Sequence, residues 1–435
     1  MKSGLMKAAV SGLLLLLLSG CSFISDPVSL MTPPDLPADK ATLMGAIKAQ
    51  LPENSNIIRP RSDSGPSSIR VEDLNNDGVM EAVVFYKTPN EEVQIHGMLL
   101  QQQGNTWIKK LDFDGEGTVL ESFDLTDITN DGMVDIVAGF SRGEENLQNG
   151  LVVYTFSGDS LEKVLQLPYT HFELTDLNGD DIQELTIVSL QKYELSFITT
   201  FQFDKNANQF IELAKLDLGQ NVEKYYNIVS GQVAKGKEGI ILDTSIVSNS
   251  STSKLIVMED GVLVDVLKED GAFKMLPVDS QDIDGDGILE IGLIKTPIGW
   301  EDKPPNEIPY FQSYYQWDGK THMASEKEGL KFVTQRYQDS ENQFYLTFPS
   351  EWHNKVTVHP DSDKNRYLNF VRTDTGDTVA EVKFFSLPEW EDAKDEWNVL
   401  VRKKDQVIGY KGEFKLTRND KKNNSDVAPI ERKGK

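Results

Sequence analysis

The chain has 435 residues, 39% of them hydrophobic and 26% charged, which allows two or three folded domains and excludes wholesale disorder. A formal net charge of −25 repels nucleic acid and anionic lipid headgroups and attracts cations, so a nucleic-acid partner is excluded. Cys21 is the only cysteine, so a chain that is exported must stabilise its loops without an internal disulfide.

Lys2 and Lys7 give a short basic region ahead of an apolar run, AAVSGLLLLLL, too short to span a bilayer comfortably, and residues 1–20 read as an export signal. LSGC, Leu18 to Cys21, resembles a bacterial lipobox. The resemblance implies cleavage before Cys21 and a lipid on that residue. The chain would then be anchored to the outer face of the cytoplasmic membrane, or to a periplasm-facing membrane in a Gram-negative cell. Residues 21–35 are proline-bearing and read as a tether. In residues 36–66, a short helix and lead-in, Leu43, Ile47 and Leu51 share one helical face that ends at Pro52.

Residues 67–337 are repetitive. Acidic stretches begin at Asp73, Asp127, Asp176 and Asp282, about fifty residues apart with one interval doubled. The missing unit falls at YYNIVSGQVAKGKEGIILDTS, where Gly231 takes the first loop position and the acids are gone. Roughly thirty residues after each loop lies a hairpin-type turn: QQGN, FSGD, FDKN, MEDG and WDGK. Each unit reads as four short strands, as in EAVVFYK, IHGMLLQQ, WIKKLDF and LESFDL. The expected fold is all-β, a β-propeller of about five four-stranded blades, with a solenoid of β-hairpins as the alternative. The strand-like SSIRVEDL before the first loop is expected to complete the last blade and close the ring. Residues 338–417 read as a small, mainly β C-terminal domain, and 418–435 as a disordered tail.

The acidic stretches follow D-x-(D/N/T)-x-D-(G/D)-x-x-(D/E). Side chains at positions 1, 3 and 5 of a tight turn share a centre, position 7 offers its carbonyl, and a carboxylate at position 9 completes an all-oxygen cage suited to calcium. A plain turn needs no ninth carboxylate. The candidate ligands are Asp73, Asn75, Asp77, the carbonyl of Val79 and Glu81; Asp127, Thr129, Asp131, the carbonyl of Met133 and Asp135; Asp176, Asn178, Asp180, the carbonyl of Ile182 and Glu184; and Asp282, Asp284, Asp286, the carbonyl of Ile288 and Glu290. Asp181 stands where the other loops have glycine. A further stretch, DFDGEGTVL from Asp112, lacks the ninth acid, is out of phase, and reads as a turn. The nine-residue form resembles the calcium loops of FG-GAP or VCBS repeats in propellers of the integrin α type. That resemblance covers roughly residues 67–335 and implies a bacterial lipoprotein with structural Ca2+.

No HExxH, GxSxG, phosphate-binding or dinucleotide-binding motif occurs, and the five histidines lack metal-ligand spacing. The expectation is a chain that is not an enzyme: a non-catalytic binding or assembly module of the cell envelope. Its partners would be the membrane, through Cys21, and an envelope glycan or protein ligand. The fifth-unit insert with Trp300, Pro304, Pro305 and Tyr310 is the candidate ligand-facing loop, with a lengthened connection whose tryptophan packs on its own blade as the equal alternative. The alternative is an envelope hydrolase acting on polysaccharide, with the propeller binding the substrate.

Overall fold

The computed structural model describes residues 38–62, 68–88, 93–142, 149–158, 160–246, 250–268, 272–341, 343–412 and 416–418. The expected signal, Cys21, the tether and residues 419–435 of the expected tail lie outside the described residues, whereas Arg418, expected to begin the tail, ends a strand.

The chain is all-β. Helix α1 (Ala38–Gln50) leads into a first sheet of β1 (Asn56–Ile57), β2 (Ile69–Glu72), β3 (Glu81–Lys87), β4 (Ile95–Gln103) and β5 (Thr106–Asp114). The second sheet is β6 (Val119–Thr126), β7 (Asp135–Ser141), β8 (Asn149–Ser157) and β9 (Ser160–Tyr169). The third is β10 (His171–Thr175), β11 (Glu184–Gln191), β12 (Leu195–Asp204) and β13 (Gln209–Asp217). The fourth is β14 (Val222–Ala234), β15 (Lys237–Ile246), β16 (Ser250–Glu259) and β17 (Val262–Asp265), with β18 (Phe273–Lys274) beside β16. Strands β19 (Ile291–Lys295), β20 (Phe311–Trp317), β21 (Leu330–Gln338) and β22 (Phe344–Phe348) form the fifth. The sixth comprises β23 (Val356–Val358), β24 (Tyr367–Arg372), β25 (Thr378–Ser386), β26 (Asn398–Arg402) and β27 (Gln406–Gly412), with α2 (Leu387–Ala393) between β25 and β26. The final strand, β28 (Leu416–Arg418), returns to pair with β22 in the fifth sheet. Among the described residues all the strand pairs are antiparallel, and the sequence boundary at 337/338 cuts β21, whose last residue, Gln338, still pairs with Tyr345 of β22 in that fifth sheet.

Side chains alternate across a strand, so a run apolar at every position marks a strand covered on both faces. That is the case for the strand after each acidic loop. In β3, Val83 and Phe85 enter the core shared with the second sheet, while Ala82, Val84 and Tyr86 pack beneath α1 with Leu43 and Ile47. Phe85 meets Phe113, Phe123 and Phe140 edge-on at 5.5, 5.0 and 6.0 Å, each contact worth about 0.5–1.5 kcal/mol beyond burial. In β15, Ile240 and Leu242 face the third sheet and Ile241 faces the fifth. Successive sheets therefore stack face to face in chain order.

Both ends of the stack are covered by helices. The first sheet carries α1; the sixth carries α2, whose Trp390 packs on Phe385 and Val407. Ser386 and Glu389 form a capping box that starts α2. Among the described residues, neither a strand pairing nor a hydrophobic cluster joins the first sheet to the sixth. The expected strand exchange is corrected accordingly: β2 pairs with β3 of its own sheet, Ile69 opposite Val84.

Two further expectations are corrected. Gly231 is not at a loop; it lies inside β14 opposite Gly239, and the fourth unit turns at Lys235-Gly236 instead. Strand β14 has simply run through the place of the loop. The fifth-unit insert is not ligand-facing at its tryptophan either. Trp300 is 2% exposed, its indole N–H donates to the Val358 carbonyl at 2.8 Å, and it joins Ile308 and Tyr310 in the core between the fifth and sixth sheets.

Candidate metal centres

Each acidic loop leads straight into a buried strand, from β2 to β3, β6 to β7 and β10 to β11 in the first three sheets and into β19 in the fifth, and its geometry repeats. The position 1 carboxylate accepts from the backbone N–H of position 6: Asp73 from Gly78 at 2.8 Å, Asp127 from Gly132 at 2.8 Å, Asp176 from Asp181 at 2.9 Å and Asp282 from Gly287 at 3.0 Å. The position 5 carboxylate accepts from position 7, as Asp77 does from Val79 and Asp286 from Ile288, both at 2.8 Å. Position 6 is left-handed in all four loops, with φ +83° at Gly78 and +63° at Asp181, a conformation aspartate tolerates better than most residues. Position 4 is left-handed as well, at Asn76, Asn130, Gly179 and Gly285, which accounts for the Asn or Gly there.

Position 9 is where the loop meets the core. Glu81, Glu184 and Glu290 are buried, and each accepts from the N–H of position 2: Leu74, Leu177 and Ile283 at 3.0, 2.8 and 2.8 Å. Asp135, one methylene shorter, accepts from Thr129 at position 3 instead, from both its N–H at 2.9 Å and its hydroxyl at 3.0 Å. Leu74 and Ile128 at position 2 are buried in the sheet junctions, and the Val134 N–H donates to the Leu74 carbonyl, tying loop to loop across two sheets.

A residue directly opposite on the next strand completes each arrangement, and sequence reasoning missed all four. Gln101 donates to Glu81 at 2.9 Å and Thr155 to Asp135 at 2.7 Å. Gln202 reaches Asp180 at 3.2 Å and Glu184 at 3.4 Å; Gln316 reaches Asp286 at 2.9 Å and Glu290 at 2.7 Å. Counting back from the hairpin turn in each unit would have located them, since strand pairing puts them beside position 9.

The four loops differ in how far their acids converge. Carboxylate oxygens of Asp176, Asp180 and Glu184 all lie within 4.8 Å of one another, as do those of Asp282, Asp284 and Glu290. Among the described residues, the loops at Asp73 and Asp127 do not form such a group. In the second of these, Thr129 and Thr155 hold both oxygens of Asp135. Burial, reinforced by the neighbouring aspartates, pushes Glu184 and Glu290 up to about 7. Burial pushes Asp135 to about 6 and raises Glu81. Among the described residues, no lysine, arginine or histidine forms a salt bridge with any of these loop acids. An all-oxygen donor set holding uncompensated, partly desolvated negative charge fits a hard divalent cation such as Ca2+.

No protein-family model matches the chain, and no curated protein matches its sequence. Solved structures do match. A rhamnogalacturonan lyase from Bacillus licheniformis is 10% identical, with 72% of this chain and 70% of that chain covered, at a TM-score of 0.33. The β-propeller domain of the trilobed protease from Pyrococcus furiosus is 13% identical, over 80% of this chain and 95% of that one, at 0.29. A protein from Lactobacillus plantarum is 10% identical, over 70% and 81%, at 0.27. The expectation that the chain is not an enzyme is corrected at this point. A lyase stands among the matched structures, and the chain's enzyme status is not established. Among the described residues, no helix is long and apolar enough to cross a membrane.

Proposed function

We propose that this chain is a lipid-anchored binding module of the bacterial cell envelope whose stacked, propeller-type sheets are stapled by Ca2+. The observation that carries the reading is the recurrence, before a buried strand in four sheets, of a loop whose ninth carboxylate is buried beside other acids with no counter-charge among the described residues. The donors would be the side chains at positions 1, 3, 5 and 9, with the carbonyl at position 7. Bound calcium would neutralise the loops at the sheet junctions and leave the opposite ends of the strands free for a ligand. LSGC supports export and a lipid on Cys21. At roughly millimolar calcium, a site with a dissociation constant of about 10⁻⁴ M adds about 1.4 kcal/mol.

The test is the melting temperature of the purified chain in calcium and in chelator, with bound metal counted. A rise in calcium with two to four ions bound supports the reading. No rise and no bound ion would reduce the loops to turns.

A further inference from the structure

We propose that a groove at the ends of the first three sheets, opposite the acidic loops, binds an oligosaccharide bearing carboxylate groups. The proposal deepens the binding-module reading and rests on it.

Strands β7 and β11 run from their acidic loops to this groove, which has a volume of about 1700 Å3. It is lined by Glu116, Arg142, Asn149, Gln166, Gln191 and Lys192. At Gly117 the wall closes up because a side chain would meet backbone, and at Gly150 a side chain would displace the Glu116 carboxylate. A Cβ at Gly117 would lie 2.2 Å from the Ser141 carbonyl oxygen, and one at Gly150 would lie 2.9 Å from Glu116 Oε2.

Charge and hydrogen-bonding capacity set the ligand class. The whole chain has 44 basic and 69 acidic residues, yet among the described residues this lining carries two cations to one acid. Glu116 is already engaged by Lys163 at 3.3 Å, and Lys163 also donates to Gln166 at 3.3 Å. Lys192 is in an exposed pair with Glu223, the kind of contact a ligand can replace at little cost. Arg142 is exposed and has no hydrogen-bond or ion-pair partner among the described residues, so its guanidinium is available to grip a carboxylate bidentately. Three side-chain amides offer paired donors and acceptors for hydroxyl groups, and Leu167 and Pro168 offer apolar surface for the C–H face of a sugar ring.

A peptide fits less well. Strand addition needs free backbone donors, whereas Gly115, Thr118 and Thr170 already donate to Ile95, Ser141 and Val188 at 2.8–2.9 Å.

The experiment is calorimetric titration of the full chain at fixed calcium with uronate-bearing oligomers of hyaluronan, alginate and oligogalacturonate. Chito-oligosaccharide serves as the uncharged comparison and oligoglutamate as the acidic peptide. At least one uronate oligomer is expected to bind, with chitooligosaccharide weaker and R142E reducing affinity by about 10- to 100-fold. Failure of all three uronates, equal binding of the uncharged oligomer, undiminished binding by R142E, or Arg142-dependent capture of oligoglutamate alone would each overturn the proposal. Calcium-dependent melting, measured on the same samples, separates these failures from a failure of the calcium reading. Because Arg142 is exposed, R142E is expected to melt as the parent does, and a matching melt shows that lost binding is not lost fold.

Discussion

Replacing Glu290 by glutamine isolates one loop. Glu290 is fully buried and accepts from Ile283 N–H at 2.8 Å and from Gln316 at 2.7 Å. Glutamine keeps the shape and the carbonyl acceptor but removes one acceptor, at a cost of about 1 kcal/mol. In chelator that loss is offset by removing a carboxylate held up near 7 among Asp284 and Asp286, so the variant should melt close to the parent. In calcium it loses a ligand. Unfolding entropy of about 2.1 cal/mol/K per residue gives roughly 0.8 kcal/mol/K over the span 38–418. One site of about 1.4 kcal/mol then corresponds to about 1.7 °C, and four sites to about 7 °C. Scanning calorimetry should show the calcium-induced shift smaller by about 1.7 °C, with one fewer ion bound. An undiminished shift, or an unchanged ion count, would refute the assignment of Glu290 as a ligand.

The chelated protein should gain stability as pH falls from 8 towards 5.5. Glu184, Glu290 and Asp135 titrate higher in the folded state than in the unfolded chain, so their contribution is complete below the ordinary carboxylate range and is lost as pH rises through about 6–7. Calcium competes with those protons, and in its presence the trend should vanish or reverse; the same slope in both buffers would contradict the reading. Trp300→Ala removes a buried ring and its bond to Val358, and should cost about 3–5 kcal/mol by denaturant titration. A change within measurement error would mean that the insert does not join the fifth and sixth sheets. Lys274 and Asp243 are both fully buried and 2.7 Å apart, so Lys274→Met should cost about 3–5 kcal/mol by stranding Asp243. Adding Asp243→Asn should recover much of that loss, and an equally unstable double variant would show that the charge is not the cause.

The acidic loops and the hairpins were legible because their chemistry is local. Left-handed turns demand Asn, Asp or Gly, and a strand covered on both faces demands an unbroken apolar run, as EAVVFYK shows. What escaped was non-local. Gly231 was misplaced because β14 continues through the expected loop and leaves no marker residues behind. An insert rich in aromatic and proline residues says nothing by itself about which surface will cover its tryptophan. Gln101, Thr155, Gln202 and Gln316 look like ordinary strand residues until pairing sets them against the loop acids.

The return of β28 to β22 makes the sixth sheet an excursion from the fifth. Phe344 lies opposite Arg418 and Leu346 opposite Leu416, so the chain leaves and re-enters at adjacent strands. Segments whose ends meet in this way can be exchanged as units. Residues 349–415 could be replaced by another module, or by a tight hairpin with a polar surface in place of the exposed core, and the first five sheets would keep their connectivity. On this view the sixth sheet is the removable cartridge of the molecule, open to replacement without redrawing the rest.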